Sequence, residues 1–69
     1  MKNNFTRLQS IQGEKQYIIE EDNPEIGWYL KVFQNDACIA DYLQNDLNTA
    51  MDQAEEEYAV PKNSWAEIK

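Results

Sequence analysis

Asp46-Leu47-Asn48-Thr49-Ala50-Met51-Asp52-Gln53-Ala54-Glu55-Glu56-Glu57-Tyr58-Ala59-Val60-Pro61 is the stretch on which the fold turns. Its apolar residues Leu47, Ala50, Met51, Ala54 and Tyr58 recur at helical intervals, a stripe about 100° wide on a helix of about 3.6 residues per turn. Asp46 or Asn45 can accept a hydrogen bond from a first-turn amide and so begin the helix. Pro61 disfavours helical backbone at Val60, which predicts an end at about Tyr58 or Ala59. The face opposite the stripe is almost purely acidic: Asp52, Glu55, Glu56 and Glu57 crowd onto it. Between Val32 and Pro61 there are seven carboxylates and no lysine or arginine.

Ahead of the helix the pattern shortens. Tyr17-Ile18-Ile19-Glu20 is β-branched and aromatic, and Asp22-Asn23-Pro24-Glu25 supplies turn chemistry after it. Ile26 to Phe33 follows, rich in residues that suit a half-buried pleated surface, and Gln34-Asn35-Asp36 breaks it. A third strand runs from Ala37 to about Leu43. A loop of those three residues sets Val32 opposite Cys38, Leu30 opposite Ala40 and Trp28 opposite Tyr42, giving one uniformly apolar face. A two-residue loop would put Asp41 opposite Leu30 and bury a carboxylate, so the longer loop is preferred. Three sequential strands and a helix imply an α+β fold, a three-stranded antiparallel meander roofed on one face by an amphipathic helix, with a short C-terminal turn folding Trp65 back beneath it. The helix is expected over Trp28, Leu30, Val32, Cys38, Ala40 and Tyr42. Tyr29, Phe33, Ile39 and Leu43 fall on the other face with Lys31 and Asp41.

Residues 14 to 69 read as a single small domain. In residues 1 to 13, Phe5, Leu8 and Ile11 are spaced by three, which suits an N-terminal arm or a short helix. A chain of 69 residues buries only about 60% of the surface it exposes when unfolded. One cysteine and no histidine leave no internal disulfide and no ordinary zinc set. Packing of the aromatics, or a second subunit, must then supply stability. No stretch resembles a signal peptide or approaches the roughly 20 apolar residues of a membrane helix, and the lone thiol suits a reducing compartment, so the expectation is cytoplasmic.

The run Gly27-Trp28-Tyr29-Leu30, then Asp41-Tyr42-Leu43-Gln44, then Ala54-Glu55-Glu56-Glu57-Tyr58 with Val60-Pro61 and Trp65, resembles a family of short uncharacterised bacterial proteins. The likeness spans residues 17 to 68. It is a packing signature: it implies a sheet-plus-helix fold and no activity, cofactor or catalytic residue.

Catalytic chemistry has little to stand on. Cys38 has no histidine, cation or helix N-terminus to activate it and reads as inert core. Ser10 and Ser64 lack a histidine base. Glu20, Glu21, Asp22 and Glu25 surround a turn, where solvated carboxylates are the ordinary finding. Their spacing is not that of a calcium loop, and Gly13 and Gly27 alone make no phosphate cradle. No cofactor and no metal are expected.

Binding is better motivated. A net charge of −7 repels nucleic acid and anionic lipid and points toward a basic partner. Asp52 with Glu56, and Asp52 with Glu55, are like charges one helical turn apart, and Glu55 to Glu57 oppose the negative end of the helix dipole. Each placement costs roughly 0.2 to 1 kcal/mol, a penalty that a docked cationic surface would offset. An acidic surface that only keeps a small protein soluble is the simpler account. The rival surface is the second sheet face, where Tyr29, Phe33 and Ile39 suit a partner interface or homodimer seam, unless residues 1 to 13 fold across it. The first expectation is therefore a non-catalytic, inhibitor- or immunity-like protein-binding module using Asp52, Glu55, Glu56 and Glu57 against a protein with a basic surface. The alternative is a homodimeric structural or accessory subunit joined through Tyr29, Phe33 and Ile39.

Overall fold

The computed structural model describes residues 6–22 and 26–68. Along the chain run β1 (Arg7–Gln12), β2 (Lys15–Glu21), β3 (Trp28–Gln34), β4 (Ala37–Gln44), α1 (Leu47–Tyr58), a single 3-10 turn (Lys62–Ser64) and β5 (Ala66–Glu67). The strands form one antiparallel sheet in the order β4-β3-β2-β1-β5. The class is α+β, but the expected three-stranded meander is corrected to five strands among the described residues.

The two further strands come from the chain ends. Arg7–Gln12 is neither a helix nor a loose arm: it pairs along its whole length with β2, Arg7 opposite Glu20 and Gln12 opposite Lys15. Leu8 and Ser10 point to the core side and Ile11 to the other side, so the spacing by three of Leu8 and Ile11 crosses the sheet. Phe5 lies outside the described residues, as do Asn23, Pro24 and Glu25 of the β2–β3 turn. β5 sets Leu8 opposite Glu67 and Gln9 opposite Ala66, and the Ile68 amide donates to the Arg7 carbonyl at 2.8 Å.

The β3–β4 hairpin also differs from expectation. Gln34 faces Ala37, so the loop is the two residues Asn35 and Asp36, with φ of 53° and 67°. Two consecutive positive φ values mark the type I′ turn, whose twist matches the flanking strands. Phe33 faces Cys38 but Val32 faces Ala40, so Ile39 is an extra residue, a β-bulge. The bulge removes the objection to the short loop: it moves β4 on by one residue, Leu30 faces Tyr42, and Asp41 lands opposite Lys31 on the other side.

On the core side Tyr17, Ile19, Leu30 and Val32 meet Ala50, Ala54 and Val60, all buried. Two alanines on the contact stripe let α1 lie close to the sheet. Asp46 caps the helix, accepting from the Thr49 amide at 2.8 Å. At the other end Ala59 adopts the left-handed conformation, φ 59°, and the amides of Ala59 and Val60 return to the carbonyls of Glu55 and Ala54. That reversal drops Val60 into the core. Trp65 packs at the core margin, held there by the Ser64 hydroxyl, which lies 2.7 Å from that of Ser10 and 2.6 Å from the Pro61 carbonyl. Among the described residues no helix is long and apolar enough to cross a membrane.

Candidate interaction surfaces

The side of the sheet away from α1 carries three cross-strand rows, read from the registers of β1 to β4. They are Arg7-Glu20-Tyr29-Leu43, Gln9-Ile18-Lys31-Asp41 and Ile11-Gln16-Phe33-Cys38. No described element lies over this side. Ile11, Ile39 and Leu43 are 65%, 51% and 51% exposed, while Ile18 at the centre keeps only 8% because longer side chains surround it. Tyr29 and Phe33 are half-buried. The proposed cover by residues 1 to 13 is overturned for Leu8 and Ile11: Leu8 faces the core, and Ile11 itself extends the apolar surface.

Charges run through the same face. Glu20 accepts from Arg7 Nε and Lys31 Nζ, each at 2.9 Å. The Lys31 hydrogen bond holds the Glu20 carboxyl below its ordinary value against the opposing effect of partial burial, and the charges of Lys31 and Arg7 add to it. Lys31 is held above its ordinary value, first by the bond to Glu20 and further by the charges of Glu20 and Asp41. Its ammonium also sits 5.6 Å from the centre of the Tyr29 ring, a cation–π distance. A shallow cleft of about 320 Å³ lies beside this network, and another of about 310 Å³ lies between the two hairpin turns, bordered by Ile11, Glu14, Phe33 and Asp36.

The acidic helix face exists but is not bare. Lys62, just past the helix, folds back so that its ammonium pairs with Asp52 Oδ1 and lies 3.7 Å from Glu55 Oε1. Glu57 accepts from Gln53 Nε2 at 3.3 Å. Glu56 alone of the four has no hydrogen bond or ion pair among the described residues. No basic residue stands in the last turn of α1, so these acids do oppose the helix dipole.

Cys38 is corrected outright: it is exposed, not core, and lies opposite Phe33 on the open side. The turn carboxylates are structural where described. Glu20 is paired as above, and Glu21 Oε1 accepts from the Thr6 amide at 3.1 Å. Among the described residues no group of histidine, cysteine and carboxylate side chains is arranged to hold a metal. On the core side the Tyr42 and Tyr58 hydroxyls meet at 2.7 Å, and the Tyr17 and Tyr58 rings pack at 5.4 Å.

Sequence alone does not mark Arg7, Ile11 and Glu20 as contributors to this surface. Their membership depends on β1 being a strand in register with β2, after which alternation assigns all three. No protein-family profile, curated protein or solved structure matches this chain.

Proposed function

We propose that this protein is a small, non-catalytic interaction module that contacts its partner through the open side of the sheet. One observation carries the reading: Ile11 and Leu43, each at least half exposed, share one side of the sheet with Tyr29 and Phe33, beside the exposed bulge residue Ile39, and no described element covers that side. Exposed apolar surface of this kind, set among charged residues, is where protein partners dock. A chemistry-based role has less support, since the chain has no histidine and its one thiol stands beside an aromatic ring on a strand. The lone cysteine fits a cytoplasmic setting.

A second reading keeps the acidic helix face against a basic protein surface, in the manner of an inhibitor or immunity protein. Glu56, without a partner among the described residues, favours it, and the engagement of Asp52 and Glu55 by Lys62 weakens it. One experiment separates the two. Tagged protein is used for capture at low and high salt in three forms: wild type, Leu43→Arg and a Glu56→Lys/Glu57→Lys double variant. Loss of capture with Leu43→Arg alone supports the sheet side. Salt-sensitive capture lost only with the lysine pair transfers the function to the helix. Capture indifferent to both variants defeats both readings.

A further inference from the structure

The geometry points to a second copy of this chain as the occupant of the open sheet face, in a dimer whose two-fold axis lies parallel to the strands, midway between β2 and β3. The inference rests on the sheet side being the contact surface and adds who binds there and in what orientation.

Charge selects the face. The chain carries −7 overall, yet among the described residues the open face holds two cations, Arg7 and Lys31, and two carboxylates, Glu20 and Asp41, and so sums to zero. Two copies meeting through α1 would appose Glu55, Glu56 and Glu57 with their equals. Two copies meeting through the sheet appose neutral surfaces, with the repulsive charge elsewhere.

Charge also selects the orientation. The four groups alternate by strand: Arg7 on β1 is positive, Glu20 on β2 negative, Lys31 on β3 positive and Asp41 on β4 negative. An alternating row with an even number of columns is its own complement when reversed. A two-fold axis along the strands lays β1 over the partner's β4 and β2 over the partner's β3, so every column meets its opposite sign, within one residue pair along the strand. Arginine and lysine side chains span that offset. An axis across the strands would instead lay each column on its own copy, like over like. The apolar residues follow the same rule. Ile11, on the outer column of β1, arrives over the outer column of β4, where Cys38 and the bulged Ile39 stand exposed.

Four strands about 4.8 Å apart by some six residues of about 3.3 Å make a footprint of roughly 19 by 20 Å, about 760 Å² over the two copies, which is below the roughly 1,200 Å² at which stable specific interfaces begin. A weak, concentration-dependent dimer is expected, so association is read up to millimolar concentration.

Cys38 supplies a native probe. Within one chain the β1 and β4 columns are about 14 Å apart, whereas sheets packed face to face lie about 10 Å apart. A short bismaleimide that spans the second distance but not the first should join Cys38 to a thiol at position 11 of the other copy. The expected result is cross-linked dimer from Ile11→Cys carrying native Cys38, and none from wild type or from Ile11→Cys/Cys38→Ser. Light scattering should show dimer at high concentration. Lys31→Glu should weaken it at least tenfold, and Lys31→Glu/Glu20→Lys, whose row of two cations then two carboxylates again meets the opposite sign in every column when reversed, should recover it, with circular dichroism unchanged throughout.

A chain that remains monomeric at millimolar concentration overturns the second-copy assignment while the sheet face stays available to another protein. Cross-linking of wild type through Cys38 alone overturns the proposed axis. Dimer that persists in Leu43→Arg and cross-links through Glu56→Cys/Cys38→Ser overturns both this inference and the sheet-face function.

Discussion

Gly27 is the position with the least freedom to change. Its φ of 123° lies where only glycine is comfortable, and a Cβ there would overlap the carbonyl oxygen of Gln44. Gly27→Ala is expected to cost roughly 2 to 4 kcal/mol, from backbone strain plus overpacking, read as a lower denaturant midpoint. Ala59 is the converse. It holds the left-handed helix end, φ 59°, with a side chain that prefers not to be there. Ala59→Gly is expected to stabilise by roughly 0.5 to 1 kcal/mol, the strain relieved less the extra entropy lost, measured by the same midpoint. Neither conformation was legible in the sequence. Glycine after a turn is too common to announce a close approach, and Pro61 announces that a helix must end without saying that Ala59 will turn left-handed. Asn35-Asp36 was similarly opaque, because the two-residue turn it makes is ordinarily signalled by Asn-Gly or Asp-Gly.

The helix was the most legible element because its period, its capping Asp46 and its terminating Pro61 all agree. β2, β3 and β4 were legible through β-branched and aromatic content. β1 was not, since Leu8 and Ile11 imitate a helical interval while serving opposite sides of a sheet. β5 is two residues long and has no pattern to read. The bulge at Ile39 was hidden for a different reason: it shows only as the difference between a turn length and a register. The acidic face of α1 makes a direct prediction. Glu56→Lys removes a like-charge pairing with Asp52 and places a cation in a last turn that has none, and is expected to stabilise the fold by roughly 0.3 to 1 kcal/mol in thermal unfolding at low salt. The sheet makes another. Glu20 is depressed by its bonds to Lys31 and Arg7, so its contribution is present above the unfolded carboxyl value, about 4.3, and is lost as pH falls through the folded one. Stability measured from pH 7 downward should therefore fall more steeply in wild type than in Glu20→Gln.

Over the whole molecule, one sheet serves two environments. Its inner side is closed by α1 and its outer side stands uncovered among the described residues, and a chain of this length, with no disulfide, gains from any further burial of that outer side. The inner side has an alkaline limit. The hydrogen bond with Tyr42, and then burial, push the Tyr58 hydroxyl up to about 12 from an ordinary 10.0. The fold thus favours the neutral phenol: its contribution is complete below pH 10.0 and is lost as pH rises toward about 12. Tyrosinate absorbance and helical circular dichroism should change together in that window, and Tyr58→Phe should flatten the loss. Trp65 lies at the margin of the same core, its indole N–H buried and unpartnered among the described residues, kept in place by a two-residue strand that joins positions 8 and 67. So short a clasp across so long a stretch of chain is the natural first seam to fray. Its release wets an indole without unwinding α1, and with Trp28→Phe silencing the other fluorophore, a red-shifted emission ahead of any helical signal would time the opening of the clasp in solution.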